Sequence, residues 1–170
     1  MYNRGWWIGI TLSVLLLSAC NPFAPELDPD GLSDQNVLGD RTQIDGFFDF
    51  FKNAYELRDT SLYGKLFTND FTFVYYDFDA AAEQRWDKGQ EMAIAYNLFR
   101  SVRQITLDWN FYIENNQLGD TANVVRSFNL TIVENESTVY SGTGRARLRL
   151  RREANGEPWR IYYWFDDSDF

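Results

Sequence analysis

Histidine is absent from the 170 residues, and cysteine occurs once, at Cys20. These shortages exclude a disulfide framework, zinc fingers, Ser-His-Asp and Cys-His catalysis, and any histidine-ligated metal. Cations are scarce as well: 16 Lys and Arg stand against 25 Asp and Glu, a formal charge of −9. Nucleic-acid phosphates need a basic face for counterion release, so no nucleic-acid partner is expected, and an anionic membrane surface is disfavoured on the same ground. No phosphate-binding glycine loop, HExxH or GxSxG motif occurs, and neither metal nor cofactor is expected.

One apolar run stands near the start, Trp6 to Leu17, preceded by the single basic residue Arg4. It is too short to span a bilayer comfortably and reads as a secretory leader over residues 1–19. Leu17-Ser18-Ala19-Cys20 closes it, and a small residue before a lone cysteine resembles the bacterial lipobox, in which the cysteine is acylated and becomes the mature N-terminus. An ordinary leader with a chance cysteine, or an uncleaved anchor, is the alternative. Two or three acyl chains on Cys20 would hold the protein stably at a membrane. Asn21 in place of aspartate carries no inner-membrane retention signal, which favours the outer membrane where the host has one. The expected location is the cell envelope, facing the periplasm or the exterior. Residues 20–40 are rich in Pro, Asp, Gly and Ser and read as a lipid-anchored flexible tether, leaving residues 41–170 as one domain.

With 45% hydrophobic and 18% aromatic residues, that domain has ample core formers. Thr42 and Asp45 suggest an N-cap pair, after which Ile44, Phe47, Phe48, Phe51 and Tyr55 recur at helical spacing. Asp59 or Thr60 opens a short second helix that Asn69-Asp70 stops, and residues 71–78 form a strand apolar in both phases. Residues 79–85 read as a loop. Asp87 and Gln90 make a capping box for a third helix with Met92, Tyr96, Phe99 and Val102 on its buried stripe. Four strands follow. In the first, Ile105, Leu107, Trp109, Phe111 and Ile113 alternate with polar residues, predicting one core face and one wet face. The others are residues 121–133, 139–151 and 159–166, separated by turn signals.

Two helices, a strand, a helix and a four-stranded meander make an α+β order that resembles the nuclear transport factor 2-like superfamily, which includes the SnoaL-like and ketosteroid isomerase-like proteins. The likeness covers residues 41–167. It rests on that order, on Asn69-Asp70-Phe71-Thr72-Phe73 leading into the first strand, and on Gly156-Glu157-Pro158-Trp159-Arg160-Ile161 opening the last, which ends in Trp164 and Asp166. The resemblance implies a cone: a curved antiparallel sheet packed against three N-terminal helices, with a pocket at the open end. The histidine common in enzymatic relatives is missing, and the isomerases' catalytic tyrosine and aspartate are not matched residue by residue, so their chemistry is not carried over.

Within such a cone, Arg126 alone interrupts the in-facing row Ala122, Val124, Phe128, Leu130, Ile132, and a desolvated guanidinium needs an acid. Asp77 is the expected partner at the mouth, with Tyr75, Trp86, Trp109 and Tyr163 as pocket walls; the pair is either a structural ion pair or a ligand site. Arg145, Arg147, Arg149 and Arg151 form a comb on one strand face. Such a comb suits a solvated outer surface answered by acids, or docking to an acidic partner or lipid headgroups. The terminal Asp166, Asp167 and Asp169 lack the loop spacing of a calcium site. Asn129-Leu130-Thr131 and Asn135-Glu136-Ser137 match the glycosylation pattern, which a bacterial lipoprotein gives no reason to invoke. The expected function is binding of a small molecule or protein partner in or beside the cone pocket, without established catalysis. One rival is an isomerase, dehydratase or cyclase in which Asp77 or Asp108 takes a proton; another is a subunit that dimerises through the outer sheet face.

Overall fold

Apolar residues at i, i+3 and i+4 make residues 44–56 a helix whose buried face is almost wholly aromatic: Phe47, Phe48, Phe50 and Phe51 are all at most 2% exposed. Burying each of these rings contributes roughly 1.5–3 kcal/mol, so this helix anchors the core. The computed structural model describes residues 37–77 and 79–168, within the unit Ser33–Phe170. The expected leader, Cys20 and residues 20–36 of the expected tether lie outside the described residues, as do Phe78 and Asp169.

In chain order the elements are α1 (Ile44–Glu56), α2 (Thr60–Gly64), β1 (Phe67–Asp77), β2 (Ala82–Asp87), α3 (Lys88–Ser101), β3 (Gln104–Leu118), β4 (Thr121–Val133), β5 (Val139–Arg151) and β6 (Arg160–Ser168). Six strands form one curved, unclosed sheet in the order β2-β1-β6-β5-β4-β3. Among the described residues, the α+β class, the helices α1, α2 and α3, and the meander β3 to β6 are as the sequence implies. The sheet is not wholly antiparallel, however, because β1 runs parallel to β6, pairing Thr72 with Tyr163 and Val74 with Phe165.

Several local expectations are corrected. Residues 79–85 are not a simple loop: β2 pairs along β1, setting Trp86 opposite Phe73, where the two rings stack 4.2 Å apart. Ring stacking and ladder bonds outweigh the poor strand propensity of Ala82 and Glu83. Asn69-Asp70 does not stop α2, which ends at Gly64; both residues lie within β1. Thr42 does not cap α1 either. Asp40 Oδ1 captures the Thr42 amide at 3.0 Å and its hydroxyl at 2.8 Å, leaving Gln43 at the N-cap with no side-chain bond. Asp59 does cap α2, accepting from Ser61 and Leu62, and the Asp87–Gln90 capping box closes on α3.

The fold takes hold of the chain before Arg41. Leu38 packs on the core, its carbonyl accepts from Asn53 at 2.9 Å, and Arg41 is 7% exposed. Gly39 has φ +124°, and a Cβ on Gly46 would lie 2.2 Å from the Asp40 carbonyl oxygen, so this crossing requires both glycines.

The largest departure is in β3. Trp109 pairs with Phe128, but Tyr112 pairs with Arg126, three steps against two, so one extra residue bulges and inverts the phase. Tyr112 turns inward onto Phe48, ring centroids 5.7 Å apart, while Phe111 and Ile113 are 70% and 50% exposed. A similar shift between Arg149 and Leu150 on β5 gives β6 an extra residue. On α3 the buried residues are Glu91, Ala95 and Phe99; Tyr96 is exposed.

Candidate functional site

The aromatic faces of α1, α2, β1, β2, β3 and β6 converge on a cavity of about 200 Å³. On its wall Phe51 meets Trp109 and Trp164 edge to face, ring centroids 5.3 and 5.7 Å away. Phe73 and Trp86 form a flat stacked wall, and Leu107, Phe128, Leu130 and Ile94 complete the apolar lining.

Two carboxylates enter this apolar space, Glu91 from α3 and Asp166 from β6. Glu91 is 6% exposed; its Oε1 accepts from the Tyr63 hydroxyl at 2.8 Å and its Oε2 from the Trp86 indole at 2.7 Å. Burial raises the Glu91 pKa above its ordinary value. The Tyr63 and Trp86 donors oppose that rise, and the nearby Asp166 charge adds to it. Tyr55 and Tyr63 are held well above the usual phenol range, first by burial and then by the Glu91 charge. Both remain neutral donors across the physiological range. The indole nitrogens of Trp109 and Trp164 are buried without a hydrogen-bond partner. Trp109 packs at a steep angle against Phe48 and Phe51, ring centroids 4.8 and 5.3 Å away.

The expected site residues separate. Trp86 and Trp109 line the cavity. Tyr75 packs behind Trp86 at 5.3 Å, outside the lining. Tyr163 faces the outer side of the sheet, where Arg149 lies over its ring at 4.9 Å; the β6 irregularity gives its inward position to Trp164. Arg126 does face inward, but its partners are not acids: it donates to the Asn110 carbonyl and the Tyr112 hydroxyl, each at 3.1 Å, beneath the Phe48 ring. The Tyr112 hydroxyl in turn donates to Asp45 at 2.6 Å. Asp77 instead accepts from the Asp79 and Ala80 amides in the β1–β2 turn, at 3.0 and 2.9 Å. Asp108 is exposed and paired with Lys52 at 2.8 Å on the rim of α1. Neither aspartate enters the cavity.

Sequence reasoning missed Glu91 and Asp166. Glu91 was hidden because an acid in the first turn of a helix ordinarily serves the dipole in solvent. Asp166 was hidden among three terminal aspartates, although it shares the alternate phase of Trp164, the one signal that points inward.

No family model matches the chain, and no curated protein does. Solved structures do. A provisionally assigned scytalone dehydratase from Novosphingobium aromaticivorans superposes with TM-score 0.63 at 10% identity, over 75% of this chain and 82% of that one. A provisionally assigned dehydratase of the NTF2-like family from Streptomyces avermitilis gives TM-score 0.59 at 15% identity, over 74% and 93%. The beta subunit of a provisionally assigned aromatic-ring-hydroxylating dioxygenase from Novosphingobium aromaticivorans gives 0.61 at 14%, over 76% and 89%. At such identities the likeness speaks for the fold alone, and with the strand order and cone geometry above, the chain has the nuclear transport factor 2-like fold.

Proposed function

We propose that this domain is a binding module, held at the extracytoplasmic side of a membrane through Cys20, that takes a small, flat, largely apolar molecule into the aromatic cavity. The observation that carries the reading is the cavity wall: Phe73, Trp86, Trp109 and Trp164 bound a space whose only carboxylates among the described residues are Glu91 and Asp166. About 200 Å³ is below the roughly 300–1,000 Å³ of drug-sized pockets, which suits one or two fused rings. Two of the similar structures carry names tied to aromatic-ring hydroxylation and scytalone dehydration, which agrees with a ring-shaped ligand. A ligand hydroxyl would meet the acids, and its ring the indoles.

The test is titration of the protein with 2-naphthol, read by tryptophan fluorescence and calorimetry. Saturable one-to-one binding that falls at least about tenfold in Leu130→Trp, which fills the cavity, supports the reading. Equal affinity in both proteins overturns it. Anchoring is tested separately by mass spectrometry of membrane-extracted protein: acylated Cys20 supports it, and an intact Met1 overturns it.

A second reading, proton-transfer catalysis of the isomerase, dehydratase or cyclase kind, is favoured by one observation: Glu91 is a buried carboxyl of raised pKa bonded to a phenol. It transfers the catalytic role from Asp77 and Asp108 to Glu91. If the cavity works this way, Glu91→Gln lowers turnover by about a hundredfold or more while leaving 2-naphthol affinity within a few-fold.

A further inference from the structure

A second cavity, of about 580 Å³, lies where α2 hands over to β1 and β6 begins, and it shares no lining residue with the aromatic one. Six cations line it: Arg41, Lys65, Lys88, Arg151, Arg152 and Arg160. Only three acids accompany them, Asp70, Glu153 and Glu157, on a chain whose overall charge is −9. This local reversal of sign calls for an explanation, since like charges collected in a concave wall repel one another.

The acids present do not answer all six. Asp70 pairs with Arg151 and Glu153 with Arg160, while Arg152 is taken by Asp120 at 2.9 Å outside the cavity. Among the described residues Arg41, Lys65 and Lys88 have no carboxylate within 4.0 Å. Arg41 and Lys88 reach only backbone carbonyls, of Lys65 at 2.7 Å and of Phe67 at 3.0 Å. Arg41 is also 93% buried, lies against the Phe50 ring, and its Nε has no partner. A guanidinium so desolvated and without a carboxylate is costly to hold, and an anion in the cavity it lines would offset that cost. Burial foremost, and Arg160 next, disfavour the charged forms of both Arg41 and Lys88.

We propose that this cavity binds a phosphate-bearing ligand, with Arg41 at its floor and Lys65, Lys88 and Arg160 around the anion. A phosphate group fits better than a single carboxylate because Arg41, Lys65 and Lys88 outnumber Glu157, the one lining acid outside those pairs, by more than one charge, and because the cavity has room for a substituent beyond the anion. The phosphate can belong to a soluble ester or to a phospholipid headgroup.

The experiment uses the mature chain, beginning at residue 20 and carrying Cys20→Ser, so that neither the apolar leader nor an acyl group contributes. Calorimetry with inorganic pyrophosphate is compared with flotation on phosphatidylcholine vesicles with and without phosphatidylglycerol. The proteins are the parent, Lys88→Gln, Arg160→Gln, and a control, Arg103→Gln, whose guanidinium pairs with Glu136 away from the cavity. One-to-one pyrophosphate binding that weakens at least about fivefold in Lys88→Gln and Arg160→Gln, but less than about twofold in the control, supports the site and a soluble source. Phosphatidylglycerol-dependent flotation with the same variant pattern, and no pyrophosphate binding, supports the site and a headgroup source. Binding that is equal in all four proteins, binding weakened as much by the control, or no binding to either probe overturns the proposal. Arg41→Gln is left aside because its buried packing makes loss of the fold a competing cause.

Discussion

The Tyr63 hydroxyl donates to Glu91 Oε1 at 2.8 Å between α2 and α3, and both side chains are buried, at 1% and 6% exposure. The contact joins two helices of the cone and fixes a carboxyl at the cavity wall, with the Trp86 indole on its other oxygen.

Because burial raises the Glu91 pKa in the folded state, the folded protein holds that proton more tightly than the unfolded chain does. The stability this contributes is fully present below the unfolded value of 4.5 and is lost as pH rises through the raised folded value. Glu91→Gln can keep both contacts by donating to Tyr63 and accepting from Trp86. Denaturant titrations from pH 4 to pH 8 should therefore show a decline above pH 4.5 in the parent that is reduced in Glu91→Gln. Parallel curves would deny Glu91 its shifted titration.

Arg126→Met removes two hydrogen bonds and a contact with the Phe48 ring. The expected cost is about 1–2 kcal/mol, since the Tyr112 hydroxyl retains Asp45. Asp77→Asn should cost less than about 1 kcal/mol, because an asparagine oxygen accepts the same two turn amides. Chemical denaturation of both variants decides it. A loss of several kcal/mol for Asp77→Asn would restore a buried ion pair that this geometry lacks.

Tyr163 and Trp164 are adjacent yet lie on opposite faces of β6. Trp164→Ala should lower 2-naphthol affinity by about tenfold or more, whereas Tyr163→Ala should leave it within about twofold, as only the former removes a cavity wall. Calorimetry on the two variants reads the difference, and the reverse order would place the cavity on the wrong side of the sheet.

Gly46→Ala should cost at least about 2 kcal/mol, at the upper end of overpacking penalties, because its Cβ would meet backbone rather than a movable side chain. Extending an N-terminal deletion from residue 36 to residue 39 should lower the melting temperature by about 4 °C or more, through loss of Leu38 packing and its bond to Asn53. An unchanged melting temperature would mean that the domain begins only at Arg41.

The fold class was legible because its signals are local and periodic. The apolar stripe of α1, the Asp59 cap, the Asp87–Gln90 box and the ranges of β4 and β5 depend on residues a few positions apart, where backbone and side-chain geometry leave few options. The inward phase of Arg126 was readable for the same reason. What the sequence did not carry was register. One inserted residue in β3 turns Tyr112 inward and Phe111 outward, and one in β6 exchanges Tyr163 for Trp164, because a period of two inverts with every bulge. Nor did it carry partners distant along the chain. Asp77 is retained by its own turn, Arg126 by Tyr112, and Glu91 by Tyr63 and Trp86, contacts that exist only once helices and strands are stacked. Composition and spacing determined the helices and most of the strands. Only tertiary packing decided which carboxyl is buried, which aromatic rings face the cavity, and where cations gather without acids, because desolvation and charge depend on three-dimensional neighbours rather than neighbours in sequence.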